Sequence, residues 1–167
     1  MMCYNTFCSK KNYREVFYMD HGKILAEYRS NSTLTKKIYD RTMEPLCDHY
    51  HITRMELDIL LFLTNNPGYD TATDIVEQKR FTKSHVSCSL RLLDEKGYIQ
   101  RTFYPGNRKT VHLKVLPAAS EIVKAGQEAQ RNVFCRIFGG LSPEELDMLK
   151  QISHKINATL RDDLKEE

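Results

Sequence analysis

The apolar residues of this chain change from a helical to a strand period at Gly97, and that change limits the fold more than any other feature. Upstream, Val86, Leu90 and Leu93 recur at i, i+4 and i+7, the stripe of a helix. Downstream, Val111, Leu113 and Val115 alternate with Thr110, His112 and Lys114, the period of a strand with one buried face. Gly97 closes the helix in the left-handed conformation that a helix end favours. Pro105-Gly106-Asn107-Arg108 then turns a hairpin between YIQRTFY and KTVHLKV. Two more helices precede these. Thr53 followed by Glu56 forms a capping box, with Ile52 and Leu57 placed as a hydrophobic staple, ahead of the nearly continuous apolar run Leu57 to Leu63. Asn65-Asn66-Pro67-Gly68 stops that helix. Thr71 with Asp74 caps a short helix ending near Lys79, and Thr82 opens the third.

Helical spacing also predicts helices over 12–28 and 33–49. A long helix begins at Pro117, with Ile122, Val123, Val133, Phe134, Ile137 and Phe138 on one stripe, and Gly139-Gly140 ends it. Ser142-Pro143-Glu144-Glu145 is another capping box with Pro at the first helical position. The last helix carries Leu146, Leu149, Ile152, Ile156, Leu160 and Leu164 on one face, a stripe that needs a partner such as a second copy of the chain.

Much is excluded. With 41% apolar residues a core can form, but no run approaches a membrane span. The opening MMCYNTFCSKKNYREVF has no continuous apolar stretch and no cleavage signal, so a cytoplasmic chain is expected. The five cysteines, Cys3, Cys8, Cys47, Cys88 and Cys135, are odd in number and widely spaced, which suits neither a disulfide framework nor zinc. Cys47-Asp48-His49 puts a thiol and an imidazole on different helical faces. His49 and His51 lack a carboxylate or thiolate cluster to complete a metal site. No glycine-rich phosphate loop is present. The reading is therefore not an enzyme, with no cofactor and no metal.

Charge points elsewhere. Residues 79–109 hold eight Lys/Arg and two acids, a net +6 in a chain whose net charge is +3. A basic centre between neutral or acidic helices suits one surface that meets a polyanion. Three helices followed by a hairpin is the winged helix-turn-helix order, in which the third helix enters the major groove of double-stranded DNA. Lys83, Ser84, His85, Ser87 and Arg91 occupy the polar face of that helix. Lys79, Lys83, Arg91 and Lys109 are suited to phosphates. Arg108, at the hairpin tip, is suited to the minor groove.

ITRMELDILLFL, TATDIVEQKRFTKSHVSCSLRLLDEKGYIQR and NRKTVHLKVLPAA together resemble the MarR-type transcriptional regulators. Leu93-Asp94-Glu95-Lys96-Gly97-Tyr98-Ile99 and Arg101 match the family's approach to the wing. Asn107-Arg108-Lys109 falls where the family usually has Asp-Arg-Arg, and Val115-Leu116 with Ala119 where it has Leu-Thr and Gly. The likeness covers 33–165 in element order and 53–119 in motif detail. It implies a mainly α fold with a small β hairpin: a single domain over 1–167, with a winged helix-turn-helix core at 53–116, dimerisation helices at 33–52 and 117–165, and an N-terminal extension at 1–32. It implies a homodimeric repressor of a palindromic operator, released by a small-molecule effector held between the dimerisation helices and the winged helix. The DNA-binding residues would be Lys83, Ser84, His85, Ser87, Arg91, Arg108 and Lys109. Neutral Asn107 cannot give the wing arginines a charge-assisted hydrogen bond, and Lys109 cannot bind bidentately as Arg does. Two alternatives stand beside this reading. One is a thiol-based sensor of the same fold using Cys3, Cys8 or Cys88. The other is a winged helix that binds protein instead of DNA.

Overall fold

The computed structural model describes residues 20–104 and 107–163, with the backbone alone for Tyr104, Asn107 and Arg108. The chain divides into two compact units, 1–37 and 38–167. Helix α1, His21–Tyr50, belongs in part to each. Asp20 starts it, its carboxylate accepting from Lys23 N–H at 3.1 Å. Within the first unit the described residues are exposed, including Ile24, Leu25, Tyr28 and Leu34.

The sequence predicted two helices here, ending near 28 and starting near 33. The structure has one, and residues 12–19 lie outside the described residues. The polar stretch Ser30-Asn31-Ser32-Thr33 contains neither Gly nor Pro. Thr33 turns its hydroxyl back onto the Arg29 carbonyl at 3.0 Å, so the helix runs through it.

In the second unit the order is α2 (Arg54–Asn65), α3 (Ala72–Lys79), α4 (Lys83–Glu95), β1 (Ile99–Tyr104), β2 (Asn107–Val115), a 3₁₀ turn (Pro117–Ala119), α5 (Ser120–Phe138) and α6 (Pro143–Asp163). Helix α2 is the core element, with Leu57, Ile59, Leu60, Leu61 and Phe62 all buried. Its predicted capping box forms on both sides, Glu56 N–H to Thr53 Oγ1 at 3.2 Å and Thr53 N–H to Glu56 Oε2 at 2.7 Å. The box at Thr71 and Asp74 forms as well.

Helix α5 crosses α2 at Gly126, where an added Cβ would sit 2.9 Å from Leu61 Cδ2. The face of α5 that is buried runs Ile122, Val123, Gly126, Ala129 and Val133. The expected stripe placed Phe134 inward. It is instead exposed, its ring 5.1 Å from that of Phe138. Small residues at the crossing let the two helices approach, and this sets the buried face.

Helix α4 ends in a Schellman motif. Tyr98 N–H reaches the Leu93 carbonyl and Gly97 N–H the Asp94 carbonyl, both at 2.9 Å, and Gly97 has φ +70°. Strands β1 and β2 pair antiparallel, Ile99 opposite Val115 and Thr102 opposite His112. Asn107 and Arg108, expected in the turn, belong to β2, with Asn107 opposite Tyr104. Asp70 fixes the hairpin to the start of α3: its carbonyl accepts from Leu113 N–H at 2.7 Å and its carboxylate lies 2.8 Å from His112 Nδ1. Helix α6 starts with the expected box at Ser142 and Glu145, and none of its described residues is buried. No described helix is long and apolar enough to cross a membrane.

Candidate nucleic-acid interface

Helix α4 is divided cleanly by its periodicity. Val86, Ser89, Leu90 and Leu93 are buried, while Lys83, Ser84, His85, Ser87, Cys88 and Arg91 are exposed. The N-terminus of the helix is open: the Thr82 side chain makes no capping hydrogen bond, and its hydroxyl lies 3.4 Å from that of Ser84. Backbone N–H groups there remain for an anionic acceptor. A cleft of about 440 Å³, with Val76, Val86 and Leu90 in its walls, separates α3 from this end of α4 and leaves Lys83 and Ser87 on its rim.

Adjoining it, with Ser87 and Arg101 common to both, an open groove of about 620 Å³ runs between α4 and β1. Ser84, Ser87, Cys88, Arg91, Asp94 and Arg101 line it. The sequence reading assigned no role to Asp94 or Arg101. They face each other because the chain reverses at Gly97, and Arg101 Nε lies 3.1 Å from Asp94 Oδ2. Arg91 is likewise tied to Glu95 at 2.6 Å. Each acid of α4's C-terminal turn is therefore matched by an arginine, and neither presents a bare negative charge to the groove.

The basic cluster is smaller on the surface than in the sequence. Lys96 turns inward, its Nζ 2.7 Å from Glu56 Oε1 and 3.1 Å from the His51 carbonyl. Burial opposes the Glu56 charge, but the hydrogen bonds from Lys96 and Thr53 outweigh it and hold the carboxyl below its usual range. Lys79, Arg80, Lys83 and Lys109 are exposed, with Lys79 Nζ 5.9 Å from the Phe81 ring centre. Arg108 is the second residue of β2, and its side chain lies outside the described residues.

Of the cysteines, Cys88 and Cys135 are exposed and Cys47 is half-buried. Burial pushes the Cys47 thiol up. Cys3 and Cys8, the other candidates for redox chemistry, lie outside the described residues. Among the described residues no group of three His, Cys, Asp or Glu could hold a metal ion.

Residues 51–109, which span the helix-turn-helix and β1 and reach the start of β2, match the model of the MarR family. No curated protein sequence matches the chain significantly. Solved structures share the fold. A MarR family regulator from Streptomyces coelicolor, determined in complex with DNA, superposes with a TM-score of 0.66 at 17% identity, covering 83% of this chain and 86% of the other. A MarR family regulator from Listeria monocytogenes, complexed with a 26mer DNA, gives 0.71 at 14%, covering 81% and 89%. Bordetella bronchiseptica BpsR, whose DNA binding is regulated by 6-hydroxynicotinic acid, gives 0.62 at 17%, covering 81% and 98%. The fold is the winged helix of MarR-type regulators, and the sequence resemblance to that family rests on the same winged-helix segment.

Proposed function

We propose that the chain is a DNA-binding transcriptional regulator, a homodimeric repressor of a palindromic operator that a small-molecule effector releases. The observation that carries this reading is the exposed row Lys83, Ser84, His85, Ser87 and Arg91 on α4, opposite the helix's buried face and beside the hairpin. Short polar side chains at the start of such a helix reach base edges, and the bases take phosphates. Arg108 would enter the minor groove from the wing, with Lys109 on the backbone. The DNA complexes of the Streptomyces and Listeria proteins support the partner. BpsR supports an effector.

The exposed apolar residues Leu149, Ile152, Ile156 and Leu160 on α6 support the dimer, since an isolated chain would leave them in water. A dimer of identical reading heads calls for an inverted repeat. Exposure of Cys88 within the α4 row favours the thiol-sensing alternative on the same fold. An oxidised Cys88 would meet DNA with added bulk and polarity.

The test is fluorescence anisotropy with a duplex from upstream of the chain's own gene and a scrambled duplex, at several salt concentrations. Tighter binding to the upstream duplex, falling steeply with salt, is the expected result. No binding to either duplex at low salt would sink the DNA reading and leave a protein-binding winged helix.

A further inference from the structure

Phe103 is 55% exposed, the most exposed of the large apolar side chains described on the hairpin. It sits where the ladder loses register. Thr102 pairs with His112 and Tyr104 with Asn107, so β1 advances two residues while β2 advances five. Residues 108–111 of β2 therefore stand against this single residue of β1, a departure from one-to-one pairing in which the ring still keeps more than half of its surface exposed. Its side of the strand follows from alternation, since residues two apart share a face. Arg101 lines the groove against α4, and Phe103 continues that row towards the tip. The half-exposed ring therefore belongs to the face of β1 that carries Arg101. The hairpin's packing is done by others, buried Ile99 and Leu113 and half-buried Tyr98 and Val115.

We propose that Phe103 is a DNA contact of the wing, its ring lying against the deoxyribose faces that wall the minor groove. The idea rests on the DNA-binding reading above and adds a contact of different chemistry to it. A ring without donors or acceptors cannot read a base edge. It can cover the apolar C–H surface of sugars, and roughly 100 Å² of ring area remains to be covered. Side chains of this kind recur where proteins enter the minor groove. Arg101 assists from the same face. Asp94 takes its Nε and leaves two terminal nitrogens for a phosphate on the flanking backbone.

The contact has a signature that separates it from the cationic ones. Covering sugar releases no counterions, so its loss should lower affinity without changing the salt dependence. The experiment compares wild type, Phe103→Ala and Phe103→Leu on the same upstream duplex across a salt series, with circular dichroism to check the fold. Phe103→Ala should weaken binding about tenfold at every salt concentration, with an unchanged slope. Phe103→Leu should recover most of that loss. Wild-type affinity in Phe103→Ala overturns the proposal while the DNA reading stands. A flattened salt slope in Phe103→Ala also overturns it, because the variant would then have displaced the cationic contacts. If wild type itself ignores DNA at low salt, the DNA reading fails first and this one falls with it.

Discussion

Replacing Lys96 with Met tests the joint that fixes the end of α4 to the start of α2. Glu56 is 0% exposed, and Lys96 Nζ lies 2.7 Å from its Oε1. Methionine keeps most of the stem volume and removes the ammonium. Stripping one partner from a buried ion pair costs about 3–5 kcal/mol. Here the Lys96 side chain is 33% exposed, so part of its charge already meets water. Thr53 N–H also continues to hold the second Glu56 oxygen at 2.7 Å. The discounted figure is about 2–3 kcal/mol. With a urea m-value of about 1.5–2 kcal/mol/M, inside the usual range, the unfolding midpoint should fall by roughly 1–2 M at pH 7.

The pH dependence supplies a sign. In the wild type the Glu56 pKa is lowered. Its contribution is present above the usual carboxylate value, about 4.3, and is lost as pH falls through the folded value. In Lys96→Met, burial is no longer opposed by the ammonium and the carboxyl shifts upward. Protonation then relieves the variant while it costs the wild type. The stability gap must therefore narrow below about pH 4. A midpoint shift under about 0.3 M at pH 7, where some 1–2 M is expected, would refute the reasoning, and so would a gap that widens in acid.

Three further outcomes are expected. Arg108→Ala should weaken operator binding by about 1–3 kcal/mol, read by anisotropy; an unchanged complex would remove Arg108 from the interface. Because burial raises the Cys47 thiol, iodoacetamide at pH 8 should label Cys47 more slowly than exposed Cys88 and Cys135, with peptide mass spectrometry as the readout, and faster labelling of Cys47 would contradict its placement. Changing both Ile152 and Ile156 to Asp should give a folded monomer by light scattering, since each is more than 40% exposed on α6; a persisting dimer would place the interface elsewhere.

The local parts of the fold are legible in the sequence because their causes are local. The boxes at Thr53, Thr71 and Ser142 form where Ser/Thr and an acid stand three apart. The change of period at Gly97 marks the passage from α4 to the hairpin, and the polar face of α4 follows from the spacing of Val86, Leu90 and Leu93. What fails is decided by neighbours. The break expected near residue 30 is absent because a hydroxyl can be satisfied inside a helix, as Thr33 shows. The orientation of α5 follows from how closely Gly126 lets α2 approach, and large apolar residues mislead there. Glu56 reads correctly as a capping acid, yet its burial depends on a lysine forty residues away, which no short motif contains.

The same distinction governs the site. Counting charges finds a basic segment, but a count gives every lysine and arginine equal weight. Lys96 is tied to Glu56, and Arg91 and Arg101 are each matched by an acid of α4's last turn. Those acids neutralise locally while they orient. Glu95 holds Arg91 along the helix, and Asp94 holds Arg101 across the turn, so under the proposed function each guanidinium would meet a duplex already oriented. Ordering a long side chain in advance lowers the entropy lost on binding. The pairs should therefore trade salt-dependent attraction for placement. Under the proposed function the general, sequence-independent attraction would then fall to exposed residues such as Lys79, Arg80 and Lys83. A salt slope measured on the wild type should report fewer phosphate contacts than the eight bases of residues 79–109 would suggest.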